Sequence, residues 1–398
     1  MKFADRLNNV ETSAIRELFK LLGKPGIISF AGGFPDSAMF DVPGIKTAVD
    51  EVLATQAGAA LQYGATEGYQ PLREQLSAFM ATKGAKDVAP EQLIVTTGSQ
   101  QALDLIGKTM INPGDKVIVE GPTFLATIQC FRLYGAEVIS APVDGDGVQP
   151  DALEKLIVEH RPKLVYLIPT FGNPSGATLS LARRKQVLEL AVKHQVLLVE
   201  DDPYGDLYFG EAPPASLLAL SPSVPGSREW LAHCGSLSKV LCPGLRIGWL
   251  IAHPELLARA TMCKQFSDAH TSTYAQATAA QYLQSGVMPQ TLARVRAVYA
   301  ERAKAMGDAL RSELGDAVEF VQPKGGLFLW VKLTGARGQE SNANELAKRA
   351  IAEGVAFVPG APFFSQNPDL STLRLSFATA DVDKIREGIA RLKKALAA

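Results

Sequence analysis

The sequence predicts an α/β fold, with a large domain built on a mostly parallel sheet covered by helices and a smaller α+β domain after it. From about Gln92, strand patterns alternate with helical patterns, as in a doubly wound sheet. Several of these strands are continuous apolar runs, which are typical of a sheet covered on both faces. From about Val318 the pattern changes to strands mixed with two helices, which indicates the smaller unit.

Length and composition limit the possible classes of protein. The chain has 398 residues, too many for one simple core, so we expect two domains. Lys and Arg total 40, Asp and Glu total 41, and no long basic run occurs, so we expect no nucleic-acid partner and no membrane surface. No apolar stretch has the length of a signal-peptide core or a spanning helix.

The cysteines and histidines give no sign of a disulfide framework or a metal centre. Four cysteines are scattered along the chain without a CxxC pair, which fits a reducing compartment and predicts a cytoplasmic protein. The five histidines lack metal-ligand spacing, so we expect no metal site.

The N-terminal region begins with an amphipathic helix. Apolar residues recur at helical spacing over residues 13–22, and Arg16 lies off the apolar face. Residues 26–36 then contain a short apolar strand and the Gly32-Gly33 turn, where the backbone could approach a ligand. We assign residues 1–44 to an N-terminal helix and arm that pack with the small domain and the site.

The large domain, residues 45–285, carries the alternating elements. A helix is predicted from Pro71, strands over 93–98, 116–124, 136–143, 164–170 and 196–202, and helices over 99–111, 125–134 and 181–195. Gly98, Asn173, Asp201 and Ser236 fall at or just past the ends of predicted strands. Because ligands of such sheets lie at the carboxyl ends of the strands, we expect these residues to form one site.

The C-terminal part, residues 286–398, forms the small domain with a connecting helix. Helix-forming residues dominate from Pro254 to about Ser312, which predicts the end of the large domain and a long connecting helix. Strands are predicted within 318–333, 354–364 and 373–378, and helices over 342–353 and 382–397.

The stretch 236–250 carries the clearest chemistry. Lys239 lies near Ser236, Ser238 and Arg246. Its amine could form a Schiff base with a carbonyl, while the hydroxyls and the guanidinium could hold a phosphate. Neighbouring positive charge favours the neutral, nucleophilic amine. This combination points to pyridoxal 5'-phosphate; the alternative is an ordinary loop with a solvated lysine.

This stretch also resembles a known family. Ser236-Leu237-Ser238-Lys239, followed by Pro243-Gly244-Leu245-Arg246-Ile247-Gly248, resembles the Schiff-base signature of the class I and II aminotransferases of fold type I. The resemblance spans nearly the whole chain, and residues 26–36 resemble the subgroup of α-aminoadipate and kynurenine aminotransferases. It implies a seven-stranded type of large sheet and a homodimer with shared active sites.

Other motifs match the cofactor site of this family. Ser99 and Gln100 follow Gly98 and open a helix, where free N–H groups bind an anion. Phe124 is expected to stack on the pyridine ring, and Asn173 resembles the asparagine that donates to the cofactor's phenolic oxygen; the alternative for Asn173 is a simple turn.

The resemblance also assigns a carboxylate and two tyrosines. A carboxylate at Asp201 can hold a proton on the pyridine nitrogen, Tyr204 would bind the phenolic oxygen, and the adjacent Asp202 fits a solvated turn. Tyr63 resembles the tyrosine that reaches the partner's cofactor phosphate; its alternative is a buried loop tyrosine.

Two arginines, an asparagine and a glycine are the expected substrate ligands. Arg374 lies in an apolar strand and would bind the substrate α-carboxylate; its alternative is an exposed strand arginine. Asn173 and Gly33 complete the predicted substrate site. Arg16 is a candidate for binding a side-chain carboxylate, and its alternative is a solvated helix residue.

The implied reaction moves an amino group from an L-amino acid to a 2-oxo acid, with Lys239 as general base and acid. The expected acceptor is 2-oxoglutarate, and the candidate donors are 2-aminoadipate, aromatic and branched-chain amino acids. The same scaffold supports lyases and decarboxylases. It also occurs in regulators fused to DNA-binding modules, for which we expect no room in this chain.

Overall fold

The computed structural model describes residues 1–7, 26–336 and 341–397. Its strands are β1 (Ile28–Ser29), β2 (Leu93–Thr97), β3 (Lys116–Gly121), β4 (Glu137–Asp144), β5 (Gly147–Val148), β6 (Leu164–Leu167), β7 (Leu197–Asp202), β8 (Leu231–Ser236), β9 (Ile247–Ile251), β10 (Val318–Phe320), β11 (Phe328–Leu333), β12 (Val355–Ala356), β13 (Val358–Pro359) and β14 (Thr372–Ser376). The predicted helix over 13–22, with Arg16, lies outside the described residues.

The large sheet has eight strands in the order β2-β9-β8-β7-β6-β3-β4-β5. Strands β8, β7, β6, β3 and β4 run parallel to one another, whereas β9 is antiparallel to both β8 and β2. The mostly parallel α/β sheet predicted from the sequence is therefore confirmed. The short strand β5, which pairs with the end of β4, adds an eighth strand to the expected seven.

Helices cover this sheet on both faces, and its central strands are therefore buried. Every residue of β6 and β7 is buried, as expected for parallel strands with no solvated face. The α-helices of the large unit are Val42–Thr55, Ala57–Ala60, Gln70–Thr82, Ser99–Met110, Leu125–Leu133, Pro150–His160, Leu181–His194, Leu217–Leu220, Pro254–Ser267 and Thr273–Gln284.

A second, four-stranded sheet with the order β10-β11-β14-β13 forms the smaller unit. All its strand pairs are antiparallel. The helices Ala343–Ala352 and Val382–Ala397 accompany it, and the long helix Met288–Leu314 leads into it. Strand β1 pairs in parallel with β12, so this part of the N-terminal segment is attached to the smaller unit. The boundaries 1–44, 45–285 and 286–398 stay a prediction.

Glycine and proline account for most differences from the predicted elements. Residues 318–333 form two strands because 321–327 contains Pro323 and the Gly325-Gly326 pair, which interrupt a ladder. Residues 354–364 contain two short strands and the 3₁₀ turn Ala361–Phe363 rather than one strand. Residues 254–314 form three helices, and Gly286, with φ of 74°, separates the last two.

The described residues include no helix that is long and apolar enough to cross a membrane. Within the same ranges, His, Cys, Asp and Glu side chains form no group of three or more that could hold a metal ion.

Candidate active site

The carboxyl ends of the central strands surround a cavity of about 970 Å³. Among the residues that line it are Gly33, Ser99, Gln100, Phe124, Asn173, Asp201, Tyr204, Ser236, Ser238, Lys239, Arg246 and Arg374. The structure thus brings together every predicted site residue except Tyr63 and Arg16. This convergence follows from topology, since parallel strands end at one edge of the sheet.

Lys239 follows β8 directly and presents its amine to the cavity. The amine donates a hydrogen bond of 2.9 Å to the carbonyl oxygen of Gly33. Burial, followed by the positive charges of Arg374 and Arg246, lowers the pKa of the amine to about 8. The lysine is therefore not the fully solvated residue of the alternative interpretation, and more of it is neutral and nucleophilic near neutral pH than of an ordinary lysine.

Asp201 is the next-to-last residue of β7, and it lines the cavity. The side chain is 2% exposed, and burial raises its pKa to about 6. Oxygen Oδ2 accepts a hydrogen bond of 2.7 Å from the hydroxyl of Tyr166 on β6, whereas Oδ1 has no hydrogen-bond partner among the described residues. Such an unpartnered buried oxygen requires a ligand donor or a proton.

The N-terminus of the helix Ser99–Met110 forms an anion cradle with Arg246. Gly98 caps this helix with φ of 78°, and a Cβ at this position would collide with the Arg246 guanidinium. That guanidinium donates to the Ser238 hydroxyl at 3.4 Å and to the Thr97 carbonyl at 3.3 Å. Helix N–H groups, hydroxyls and a guanidinium form a donor set suited to a phosphate.

A buried lysine that the sequence did not reveal supports this cradle from behind. Lys264 is fully buried and donates to Gln101 at 2.9 Å and to Asp268 at 2.9 Å. Gln101 in turn accepts a hydrogen bond of 2.7 Å from the backbone N–H of Thr97. The network fixes the end of β2, from which the phosphate-binding turn starts. Its only sequence signal is the i,i+4 spacing of Lys264 and Asp268 on one helix.

Arg374 on β14 is a buried cation at the opposite side of the cavity. It is 2% exposed, so it is not the exposed strand arginine of the alternative interpretation. It donates to Asn173 Oδ1 at 2.8 Å and to the Ala31 carbonyl at 3.0 Å, and its guanidinium lies 4.2 Å from the ring centroid of Phe328. Burial lowers its pKa to about 10, so it stays charged at neutral pH.

The guanidinium of Arg374 retains capacity for a carboxylate. Its Nε atom has no hydrogen-bond partner among the described residues, and no described Asp or Glu forms an ion pair with it. Because a buried cation without a counterion is costly, the arrangement suits an anionic ligand.

Tyr204 and Asn173 line the same cavity as Lys239 and Arg374. Tyr204 is 4% exposed, and burial raises the pKa of its hydroxyl well above the ordinary range while a hydrogen bond with Asn173 opposes the shift. The tyrosine ring packs edge-on against Phe328, with the ring centroids 5.9 Å apart. Asn173 is therefore shared between Tyr204 and Arg374, which makes it more than a simple turn residue.

Asp202 differs from the solvated turn residue expected from the sequence. It is 6% exposed and accepts a hydrogen bond of 3.1 Å from Lys83, which also bonds Asp206 at 3.1 Å. The solvated interpretation was wrong because Lys83, distant in sequence, supplies a buried counterion. This ion pair keeps the pKa of Asp202 below its ordinary value despite burial.

Tyr63 lies outside the cavity lining. Its side chain is 86% exposed, and its ring makes an edge-on contact with His270, with the ring centroids 5.8 Å apart. It is therefore not the buried loop tyrosine of the alternative interpretation. Arg16 falls outside the described residues.

The donor set fits pyridoxal phosphate. The cavity offers an amine for the aldehyde at Lys239, an unpartnered carboxylate oxygen at Asp201 for the ring N–H, and the phosphate cradle. Phe124 lines the same cavity and provides an aromatic face.

Comparison with known proteins agrees with this chemistry. The sequence model of aminotransferase class I and II matches residues 26–392. A 2-aminoadipate transaminase of Thermus thermophilus is 42% identical, covering 99% of this chain and 96% of that protein. An aromatic-amino-acid aminotransferase of Thermococcus litoralis is 38% identical, covering 99% of this chain and 94% of that protein.

A solved aminotransferase structure is similar over nearly the whole chain. The α-aminoadipate aminotransferase of Thermus thermophilus, complexed with N-(5'-phosphopyridoxyl)-L-leucine, matches with a TM-score of 0.90 at 40% identity, covering 99% of this chain and 97% of that one. The predicted fold type I, the pyridoxal phosphate cofactor and the transfer of an amino group between an amino acid and a 2-oxo acid are thus confirmed. The chain belongs to the class I and II aminotransferase family.

Proposed function

We propose that this aminotransferase binds the substrate α-carboxylate through Arg374 and uses the Lys239 amine as its proton-transfer group. The observation that carries the proposal is that one cavity contains a buried arginine and a partly buried lysine whose pKa values differ. Arg374 stays charged and has a free N–H, whereas burial and nearby cations lower the pKa of Lys239 to about 8. One group is suited to hold an anion and the other to exchange a proton.

The remaining residues hold and orient the reactants. Ser99, Ser238 and Arg246 would bind the cofactor phosphate, and Phe124 would pack against its ring. Bound pyridoxal phosphate withdraws electrons from the substrate Cα, which makes the Cα proton acidic. Lys239 takes that proton and later returns it, while Asp201 keeps its charge near the ring nitrogen.

The side-chain part of the cavity favours large donors. Phe34, Phe124, Leu125 and Leu133 line it, with the amide of Gln129 as a polar group. These side chains suit long aliphatic and aromatic amino acids, and the named relatives act on 2-aminoadipate and aromatic amino acids. We propose such donors, with 2-oxoglutarate as the acceptor.

The dicarboxylic substrates require a further cation, for which Arg16 remains the candidate. The experiment compares kcat/KM of Arg16→Ala for 2-aminoadipate and for leucine. Loss of a charge-assisted hydrogen bond should lower kcat/KM for 2-aminoadipate by about 10- to 150-fold and leave leucine nearly unchanged. An equal loss for both donors, or none for either, would reject this role.

The exposure of Tyr63 supports a shared site in a homodimer. A tyrosine that is 86% exposed is available for contact with a second copy of the chain. Mixed dimers of inactive Tyr63→Phe and Lys239→Ala protomers should regain activity, because one hybrid site has both residues intact. No recovery in verified mixed dimers would exclude the shared site. The cytoplasmic location stays a prediction.

The transamination assignment itself has a direct test. With an amino acid alone and no acceptor, the enzyme should release one equivalent of 2-oxo acid per Lys239 and then stop, resuming when 2-oxoglutarate is added. Continuous turnover without an acceptor, with release of ammonia or carbon dioxide, would instead identify a lyase or a decarboxylase.

A further inference from the structure

The hydroxyl of Tyr166 is the only described side-chain donor to the Asp201 carboxylate. Tyr166 lies on β6, next to β7, and is fully buried. Its O–H donates to Asp201 Oδ2 at 2.7 Å, while Oδ1 has no hydrogen-bond partner among the described residues. The two oxygens of one carboxylate are therefore in different environments, and Asp201 lines the cavity.

The position of Tyr166 is fixed by packing. Its ring meets Phe131 edge-on, with the ring centroids 6.1 Å apart, and both side chains have no exposed surface. The oxygen atom on such a ring cannot move away from Asp201 without disrupting the core. The hydrogen bond thus limits rotation of the Asp201 carboxylate about its own side-chain bond.

The surroundings of Asp201 oppose its negative charge. Burial raises the pKa of the carboxyl to about 6, and the neighbouring carboxylates add to the rise, whereas the Tyr166 hydrogen bond lowers it. The other titratable groups that interact with Asp201 are Glu200 and Asp202 on β7, His233 and Cys234 on β8, and Tyr204 and Lys239 in the following loops.

We propose that Tyr166 is a positioning residue that orients the Asp201 carboxylate and keeps it ionised, so that Oδ1 meets the N–H of the cofactor ring. The inference rests on the proposed role of Asp201 in binding that nitrogen. Tyr166 acts through Asp201 and does not line the cavity itself.

The test measures cofactor affinity rather than turnover. Two probes are titrated into the apo protein: pyridoxal phosphate, and an analogue whose ring nitrogen is replaced by CH. Tyr166→Phe removes one oxygen atom and keeps the ring against Phe131. It should weaken binding of pyridoxal phosphate by about tenfold and leave binding of the analogue unchanged, because only the first ligand presents a ring N–H to Asp201.

The control is Tyr282→Phe. Tyr282 is also fully buried and donates to a carboxylate, Asp41 Oδ2, at 3.0 Å, but it does not line the cavity. This variant should bind both probes like the wild type.

The outcomes separate this inference from the assignment of Asp201. If Tyr166→Phe weakens both probes equally, the hydroxyl has only a structural role and the inference is wrong. If Asp201→Asn weakens pyridoxal phosphate selectively but Tyr166→Phe does not, the inference also fails while the role of Asp201 stands. If Asp201→Asn leaves both affinities unchanged, the proposed role of Asp201 fails first.

Discussion

Replacing Arg374 with methionine should raise the pKa of the Lys239 amine. In the wild-type protein the pKa is lowered from 10.5 to about 8 by burial first, and then by the positive charges of Arg374 and Arg246. Of the two arginines, Arg374 has the larger effect on the pKa of Lys239. The substitution removes its charge and keeps an apolar side chain of similar length against Phe328. The repulsion that favours the neutral amine is thereby reduced.

The expected shift is only a part of the full depression, because Lys239 stays buried in the variant. We expect the pKa of Lys239 to rise by about one unit, which corresponds to roughly 1.4 kcal/mol of lost repulsion. At pH 8 the neutral fraction of the amine should fall from about one half to about one tenth. The neutral amine, and with it capture of the cofactor aldehyde, should therefore require more alkaline solution.

Competitive labelling of the apo protein gives the pKa directly. Trace acetic anhydride is added between pH 6 and pH 11, and the modification of Lys239 is quantified by mass spectrometry. Arg296→Met serves as the control, because Arg296 also lies over an aromatic ring, 3.7 Å from the centroid of Tyr208, but does not line the cavity. An ordinary pKa for Lys239 in the wild type, or a lower one in Arg374→Met, would refute the reasoning.

Three further experiments test other parts of the site. Asp201→Ala should lower kcat/KM by about 100- to 1,000-fold, whereas Asp202→Ala should mainly lower the melting temperature, since it removes one carboxylate from the buried ion pair; the reverse order would contradict the assignment. Lys264→Met should weaken cofactor binding by about tenfold because it disrupts the support of the cradle, whereas Lys304→Met, which breaks an exposed i,i+4 pair, should not. Gly98→Ala should weaken binding of inorganic phosphate to the apo protein, measured by calorimetry, because φ of 78° and the adjacent guanidinium exclude a Cβ; unchanged affinity would exclude this cradle.

The sequence was sufficient to predict those site residues that lie at or after the carboxyl ends of strands. Asp201 lies at the carboxyl end of a strand, Asn173 and Lys239 come after the ends of two others, and the carboxyl ends of parallel strands meet at one edge of the sheet. Arg374 was recognisable because a cation in an apolar strand needs a partner. In these cases the local pattern contains the physical reason for the placement.

The groups that hold those residues in place were not predictable in the same way. Tyr166 is one polar aromatic residue in an apolar strand, and only the pairing of β6 with β7 brings it to Asp201. Lys83 and Asp202 are far apart in sequence, as are Lys264 and Gln101. Partners of this kind depend on register and helix packing between distant segments, which no periodicity within a segment encodes.

The segment after β1 makes hydrogen bonds to both sides of the cavity. Phe30 accepts a hydrogen bond of 2.8 Å from the backbone N–H of Ser376, and Ala31 accepts from Arg374, so this stretch is fastened to the four-stranded sheet. The carbonyl of Gly33, two residues later, holds the Lys239 amine, which belongs to the large sheet. A rotation of the smaller unit would therefore displace both Arg374, which we propose to bind the substrate α-carboxylate, and the Gly33 carbonyl that accepts from Lys239.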